Sequence, residues 1–420
     1  MREMKDSGVE WIGEIPCDWK LERSQWHLEE VNISNNPIQT NNVLSLTNKL
    51  GVVPYEEKGN QGNKSKENVY EYKLAYPNTI VANSMNILIG SVGLCDYFGC
   101  VSPVYYVFRA KKYNNIKFLN YVFQTVGFQR ELRKYANGIL EIRLRVSSSD
   151  ILKRFIPFPS EIEQQRIAEF LDRECGKIDG LKADIQAQID TLEQYKRSVI
   201  TEAVTHGLNP SAPMKDSGAG WMPLIPLHWK ADKLKFHLRQ RGIKNQIDKQ
   251  VLSLYREYGS VPKDSRDDNH NVTSEDVSDY RYVRVGDFVV NKMKAWQGSV
   301  AVSNYEGIVS PAYFVYEFSD DLINKRYFHY LMRNKTYATE FRRLSGGIRE
   351  GQWDLPSEAL NNTIILLPPL DEQQEIADYL DNKCAEIEQI IADKKSQIET
   401  LDGYKKSLIF EYVTGKKEVV

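Results

Sequence analysis

One phrase of 17 residues occurs twice in this chain, and its recurrence restricts the possible folds more than any other feature. Residues 4–20 read MKDSGVEWIGEIPCDWK, and residues 214–230 read MKDSGAGWMPLIPLHWK. Five further motifs recur in the same order at offsets between 208 and 210: VLSL, GSV, VSP, EQQ and YKRS, the last as YKKS. Chance matches would not keep one order and one offset over the whole length. The sequence therefore predicts one unit of about 210 residues fused to a diverged copy of itself.

Each unit begins with a mixed region and ends with a long helix. Short β-branched and aromatic runs such as NTIVANS and VYYVFRA are bounded by Gly, Asn and Pro, which predicts strands and turns. Residues 116–138 predict one helical stretch that stops at Asn137-Gly138. A heptad stripe then predicts a packed helix, formed by Leu171, Ile178, Ile185, Leu192 and Val199 with Leu181, Ile189 and Tyr195 between them.

The second unit repeats this stripe from about Asp371, and two long helices with matching stripes most simply pack on each other. Ser160 and Glu163 have the spacing of a capping box at the first helix start. The predicted fold class is α+β, with two α/β recognition domains, two long antiparallel coiled-coil helices and an internal pseudo-two-fold repeat. The predicted boundaries are residues 1–157, 158–206, 207–367 with its linker, and 368–420.

Composition excludes few functions. The net charge of −2 neither indicates nor excludes a nucleic-acid partner, since one face can be basic while the whole is neutral. The five Cys have no CxxC spacing, so neither a disulfide framework nor a zinc site is predicted. The N-terminus is charged, and apolar runs fall short of the roughly 18 residues that a membrane span needs. We expect a cytoplasmic protein without a membrane partner.

Motifs for catalysis are not found in the sequence. Phosphate loops of the GxxxxGK[ST] type, GxGxxG turns, HExxH and the Asn-Pro-Pro-aromatic motif of base methyltransferases are missing, and the six His share no ligand spacing. Glu56 and Lys58 have the Glu-x-Lys shape of a nuclease motif, but the second unit has no equivalent. The repeated residues are mostly Gly, Pro, Trp and apolar types, which favours a binding protein without catalytic or metal-ligating residues.

The two copies keep their strand frames and differ in their loops. The first variable loop is EEKGNQGNKSKENVYEYK in the first unit and KDSRDDNHNVTSEDVSDYR in the second. The second variable loop is NSMNILIGS in the first unit and NKMKAWQGS in the second. The third is GILEIRLR in the first unit and GIREGQWD in the second. Both units keep a basic doublet before the Gly-Ile turn, Arg133-Lys134 and Arg342-Arg343, and its cations are suited to bind DNA phosphates. Polar loop side chains can read base edges. The candidate DNA-contacting residues are Lys64, Lys66, Asn83, Asn86, Arg133, Lys134, Arg143, Arg145, Arg256, Lys292, Lys294, Trp296, Gln297, Arg342, Arg343, Arg349 and Gln352.

This arrangement predicts a bipartite target. A symmetric dimer reads a palindrome because the protein and its site share a two-fold axis. Fused halves with diverged loops would read two different half-sites, separated by a spacer that the paired helices set. A coiled-coil scaffold that carries two protein-binding domains remains an alternative.

The chain resembles the specificity subunits of type I restriction–modification systems over essentially its whole length. The resemblance rests on the duplicated W-x-x-x-I-P-x-x-W phrase, the VSP strand and the P-x-x-x-E-Q-Q-x-I-A-x-(F/Y)-L-D start of each long helix. It implies two target-recognition domains and an antiparallel coiled coil in a subunit that is not itself an enzyme.

The resemblance also implies partners. They are double-stranded DNA, two methylation subunits that bind S-adenosylmethionine and methylate adenine, and restriction subunits that use ATP and Mg. This chain itself would bind no cofactor. A specificity subunit of another defence methyltransferase is a further alternative.

Overall fold

The chain folds into two compact units in the computed structural model, which describes residues 2–47, 51–58, 68–111, 114–138, 144–256, 258–265, 273–347 and 353–419. Unit 1 comprises Met1–Ile185 with Lys395–Val420, and unit 2 comprises Gln186–Lys394. Each unit therefore contains one mixed region and one part of each long helix.

Twenty-four strands are formed by the described residues, twelve in each unit. Those of unit 1 are β1 (Met4–Asp6), β2 (Glu14–Pro16), β3 (Lys20–Arg23), β4 (Leu28–Glu30), β5 (Leu44–Thr47), β6 (Gly51–Pro54), β7 (Lys73–Ala75), β8 (Thr79–Asn83), β9 (Val92–Cys95), β10 (Gly99–Val101), β11 (Tyr105–Ala110) and β12 (Phe155–Phe158). Those of unit 2 are β13 (Met214–Asp216), β14 (Leu224–Pro226), β15 (Lys230–Lys233), β16 (Leu238–Arg241), β17 (Leu252–Tyr255), β18 (Gly259–Pro262), β19 (Arg281–Val283), β20 (Phe288–Asn291), β21 (Val300–Val302), β22 (Gly307–Val309), β23 (Tyr313–Phe318) and β24 (Ile364–Leu367).

The same residues form eight α-helices, of which two are long. They are α1 (Ile116–Gln124), α2 (Val126–Arg133), α3 (Ser148–Leu152), α4 (Glu161–His206), α5 (Lys325–Arg333), α6 (Lys335–Leu344), α7 (Ser357–Asn361) and α8 (Leu370–Val413).

Both units have one topology. The main sheet has the strand order β4-β11-β8-β9 in unit 1 and β16-β23-β20-β21 in unit 2, and every pairing is antiparallel. The four two-stranded pairs also correspond strand by strand, from β1-β2 with β13-β14 to β12-β3 with β24-β15. The predicted internal repeat is therefore confirmed at the level of strand order.

Strand alternation gives each sheet two buried faces. In β8, Ile80 and Ala82 face a core shared with the helices, while Val81 faces a smaller core shared with β5 and β6. In β20, Phe288 and Val290 lie in the large core and Val289 in the small one. Because successive strand residues point to opposite faces, each unit has three layers: helices, sheet and hairpin.

The long helices pair antiparallel inside each unit. In unit 1, Lys405 of α8 binds Asp179 of α4 at 2.6 Å, and Asp402 binds Lys182 one turn further along. In unit 2, Lys196 binds Glu388 and Lys394 binds Gln188. The α+β class with antiparallel coiled-coil helices is thus confirmed.

Two details of the sequence prediction are wrong. Leu181 and Tyr195 were expected to complete the stripe, yet they are 53 % and 49 % exposed, because a two-helix seam covers only a narrow strip of each helix. The stretch over 116–138 was expected to be one helix. It breaks at Thr125, whose hydroxyl caps α2 by accepting a hydrogen bond from the Phe128 N–H.

The repeated phrase packs against the end of a long helix in each unit. Trp19 lies in one core with Leu408, Ile409 and Val413 of α8, and Trp229 lies with Val204 at the end of α4. Residues 4–20 therefore pack near the end of α8. Trp19 is fully buried, whereas Trp11 is only partly buried, against Phe128.

Candidate nucleic-acid interface

The second variable loop begins with a turn that both units build in the same way. Asn83 is buried at the end of β8, and its side-chain oxygen accepts hydrogen bonds from the Met85 and Asn86 N–H groups at 3.0 and 3.3 Å. Asn291 in unit 2 accepts from the Met293 N–H at 3.1 Å. Asn83 therefore holds the turn, while Asn86 is exposed on it.

The third variable loop is tied to this turn at its base. The Val146 N–H donates to the Ser84 carbonyl at 3.1 Å, and the Leu355 N–H donates to the Lys292 carbonyl at 2.9 Å. The strand-like bridges Asn137–Arg145 and Gly346–Asp354 close the loop in the two units. In each unit, the second variable loop and the described base of the third therefore lie together at one end of the main sheet. They comprise residues 83–91, 137–138 and 144–146 in unit 1, and residues 291–299, 346–347 and 353–355 in unit 2. We call this the recognition surface.

In unit 2 the recognition surface carries an aromatic and cationic group. The rings of Trp296 and Trp353 are 5.6 Å apart, and the Arg342 guanidinium lies 5.9 and 5.7 Å from their centroids. Beside them, Lys292 forms an ion pair with Asp354 at 3.0 Å. This Trp–Arg cluster combines flat apolar rings with a forked cation, the chemistry that stacks on bases or binds guanine edges.

The equivalent positions of unit 1 have different chemistry. Leu88 and Leu144 stand where unit 2 has Trp296 and Trp353, while Arg133 matches Arg342. The second residue of each basic doublet has carboxylate partners. Lys134 binds Glu10 and Glu131, each at 2.9 Å, and Arg343 binds the buried Glu340 at 2.7 Å. The bonds to Glu131 and Glu10 raise the pKa of Lys134.

The other candidates divide into exposed residues and residues outside the described ranges. Arg145, Arg256, Lys294 and Gln297 are exposed. Five of the predicted residues lie outside the described residues: Lys64, Lys66, Arg143, Arg349 and Gln352. Trp353 was missed by the sequence reasoning although it lies in a variable loop. Its signal was a tryptophan in a polar loop, but its contact with Trp296 spans 57 residues and appears only in the fold.

Among the described residues, neither a metal-binding cluster nor a carboxylate–lysine site is formed. Across these ranges, His, Cys, Asp and Glu side chains form no group of three or more that could hold a metal ion. Lys58 of the Glu-x-Lys triplet is buried, with its ammonium 4.0 Å from the Tyr55 ring centroid, while Glu56 is exposed. The triplet therefore does not form a carboxylate–lysine site. No helix among the described residues combines the length and apolar character that a membrane span requires.

One protein-family model matches this chain. Residues 243–400, which cover most of the second repeat, match the type I restriction modification DNA specificity domain. The resemblance to specificity subunits that the repeated motifs indicate is confirmed.

A curated relative and two solved structures are similar to this chain. The type I restriction enzyme MjaVIII specificity subunit of Methanocaldococcus jannaschii is 26% identical over 287 residues, which cover 63% of this chain and 62% of that protein. The chain thus matches somewhat less than two thirds of this relative's length.

One solved chain, from a type I R-M system studied for its assembly and conformational transition, shares the fold with a TM-score of 0.68. It is 13% identical, and the alignment covers 96% of this chain and 99% of that chain. The HsdS subunit of Thermoanaerobacter tengcongensis is 14% identical with a TM-score of 0.49, over 96% and 98% of the two chains. The TM-score of this second structure is too low to show a shared fold.

Proposed function

We propose that this chain is the DNA-recognition subunit of a type I restriction–modification complex. Its two recognition surfaces bind the two halves of an asymmetric, bipartite site, and the paired helices set the length of the spacer. The observation that carries the proposal is one frame, built twice, whose equivalent loops present different chemistry. Together with the specificity-domain match, this favours two related readers over a scaffold with two identical docking sites.

The chemistry of catalysis belongs to the partners in this proposal. Two methylation subunits bind S-adenosylmethionine and methylate adenine, and restriction subunits hydrolyse ATP with Mg and cut DNA. The chain described here binds no cofactor, acts in the cytoplasm and contributes binding energy and geometry. The match to the specificity domain supports this division.

The test is to map methylated adenines in a host with and without this gene, beside its methylation partner. The proposal predicts methylation at one bipartite sequence, in both of its halves, that depends on the gene. Binding of the complex to that sequence should weaken as salt rises, because phosphate contacts release counterions. Methylation that does not depend on the gene would contradict the proposal.

A variant that borrows residues from the other repeat tests the recognition surface. Trp296→Leu with Trp353→Leu gives unit 2 the side chains that unit 1 has at Leu88 and Leu144. We expect changed sequence preference in one half-site, with a loss of about 1–3 kcal/mol for each base contact removed, and an unchanged second half-site. Replacement of residues 21–157 by the region of a relative is the matched control and should change only the other half-site. A change in both halves from either replacement would refute modular reading.

A further inference from the structure

An exposed aromatic ring occupies the same place in both units. Trp26 ends the 3₁₀ turn Ser24–Trp26 and is 55 % exposed, and Phe236 ends the turn Leu234–Phe236 and is 60 % exposed. Single exposed hydrophobic side chains are common on protein surfaces, so the observation that counts here is that a large aromatic ring is exposed at the equivalent position of both units.

The frame holds both rings outward, so their exposure does not come from a loose loop. The Ser24 N–H donates to the Arg154 carbonyl and the Leu234 N–H to the Thr363 carbonyl, each at 2.9 Å. The next residue is a buried histidine in both units. The His27 Nδ1 bonds to Asn114 at 3.0 Å, and the His237 Nδ1 bonds to Asp320 at 2.8 Å.

In each unit, a cation at the turn lies close to an exposed aromatic ring. In unit 1, the Arg23 guanidinium lies 5.3 Å from the centroid of Phe155, which is itself 38 % exposed, and Lys20 is exposed nearby on β3. In unit 2, the Lys235 ammonium lies 5.5 Å from the Phe236 centroid. We call these two surfaces the aromatic patches. They are defined by Lys20, Arg23, Trp26 and Phe155 in unit 1, and by Lys230, Lys233, Lys235 and Phe236 in unit 2.

The carboxylates nearest these patches in sequence lie beside the buried histidines. Glu22 lies 2.7 Å from the His27 Nε2, and Asp232 lies 3.3 Å from the His237 Nε2. Each patch presents an apolar ring with neighbouring cations, of which Lys20, Arg23, Lys230 and Lys235 are exposed.

Each aromatic patch lies at the opposite end of the main sheet from the recognition surface. The 3₁₀ turn of Trp26 leads into Leu28, which pairs with Ala110 at one end of β11. The recognition turn leaves β8 after Asn83, which pairs with Tyr105 at the other end of β11. The same registers place Leu238 opposite Phe318 and Asn291 opposite Tyr313 in unit 2.

We infer that the two aromatic patches dock two copies of one partner protein, which presents an apolar pocket rimmed by carboxylates. Surfaces that read two different half-sites must diverge, whereas surfaces that bind the same protein twice must stay alike. The recognition surfaces differ, and the patches at the far end of each sheet remain aromatic and basic. Exposed aromatic rings with neighbouring cations are also the groups that dominate protein–protein binding energy.

The identity of this partner rests on the proposed function. In the complex proposed above, the methylation subunit is the protein present in two copies beside a single specificity subunit. The docking itself depends only on the residues of the aromatic patches, so an experiment can refute the docking without refuting the proposed function.

The experiment uses the full chain co-purified with its methylation subunit. Native mass spectrometry gives the number of copies bound, and a dilution series gives the affinity of each. The wild type should bind two copies. Trp26→Ala and Phe236→Ala should each weaken one copy at least about tenfold, the effect of truncating a binding hot spot, and the double variant should weaken both. Arg23→Glu combined with Lys233→Glu should also weaken both copies, because it reverses a positive charge in each patch and keeps both rings.

Trp296→Leu, at the other end of the sheet, is the matched control and should still bind two copies. Two copies bound with unchanged affinity by both double variants would overturn the inference and leave the proposed function intact. So would a double variant that keeps both copies but loses DNA affinity with a shallower salt dependence, since the patches would then be phosphate contacts. A wild-type chain that binds no methylation subunit would overturn both proposals.

Discussion

At the scale of single residues, unit 2 has a buried ion pair where unit 1 has none. Arg241 and Asp287 bond to each other with side chains only 9% and 7% exposed, and Asp287 also accepts from the Arg284 N–H at 2.7 Å. Val31 and Thr79 stand at the matching positions of unit 1, and both are buried. The two repeats thus fill the same buried position with an ion pair in unit 2 and with uncharged side chains in unit 1.

This pair gives a prediction with its control in the same chain. Asp287→Thr should lower the free energy of unfolding by about 3–5 kcal/mol, because Arg241 keeps a buried charge without its main partner. Arg241→Val combined with Asp287→Thr reproduces unit 1 and should recover most of that loss. Urea unfolding of the three proteins measures both effects. Equal losses in the single and double variants would show that the pair is not coupled.

His329 makes the stability of unit 2 depend on pH. Burial and the neighbouring Arg333 lower its pKa from 6.5 to about 3, and the Val302 N–H donates to its Nδ1 at 3.3 Å. The unfolded chain takes up this proton below about pH 6.5 while the folded chain does not. Stability is therefore lost as pH falls from about 6.5 towards 3.

Asn120 is the unit 1 counterpart of His329, which suggests the variant to test. Wild-type unfolding free energy should fall by up to about 1.4 kcal/mol per pH unit between pH 6 and 5 from this one proton. His329→Asn should remove that contribution and leave the contribution of His27, whose pKa burial also lowers. Identical slopes in denaturation series over this range would exclude His329 as a source.

At the scale of elements, the start of each long helix is joined to the repeated phrase. The Trp19 Nε1–H donates to Glu163 at 2.9 Å, and the Trp229 Nε1–H donates to Glu372 at 3.1 Å. The expected capping box is therefore only half formed. The Ser160 hydroxyl accepts from the Glu163 N–H at 3.3 Å, but the Glu163 carboxylate binds Trp19 and Arg2. The repeated phrase and the repeated EQQ thus meet in the same contact in both units.

The end of each long helix meets the same phrase through a glycine. Gly415 has φ +71, and a Cβ there would lie 2.4 Å from Pro16 Cδ and 3.2 Å from the Trp19 ring. Gly415→Ala should destabilise unit 1 by at least about 2 kcal/mol, from backbone strain and the clash together. Gly180→Ala inside α4 is the control, since its Cβ would meet nothing within 4 Å. It should stabilise by about 0.5–1 kcal/mol, as thermal unfolding would show. The same sign for both variants would refute the packing argument.

The long helices and the repeat could be predicted from sequence because their signals are periodic or duplicated. The break between α1 and α2 was missed, since FQTVGFQ continues the apolar pattern of α1. The local signal was a capping residue at the same place in both units, Thr125 and Asn334, whose side chains accept from the following helical N–H groups. The Trp–Arg cluster could not be predicted, because it joins residues that only the tertiary fold brings together.

At the scale of the whole molecule, one topology occurs twice, and the two copies differ in whether the repeated phrase is covalently connected to the helix end that it contacts. In unit 2 the phrase follows α4 directly, with six residues between Gly207 and Met214. In unit 1 the phrase meets the end of α8 without a covalent link. There the Lys416 Nζ donates to the Ile12 carbonyl at 2.7 Å and to the Glu14 carbonyl at 3.0 Å. The two units thus use the same contact, once with a covalent connection and once without.

A circular permutant tests this equivalence. A chain that starts at Met214 and joins Val420 directly to Met1 has eight residues between Gly415 and Met4, two more than the natural connection in unit 2. Because the contacts of the phrase with each helix end are unaltered, the permutant should fold and, with its methylation partner, direct methylation to the same bipartite site. Combining the permutation with Gly415→Ala should be less damaging than Gly415→Ala in the wild type, since the new covalent link holds the phrase in place. Methylome mapping and thermal unfolding measure the two effects. A permutant that folds but reads a different site would show that the connection after α4 sets recognition, and would refute the equivalence of the two contacts.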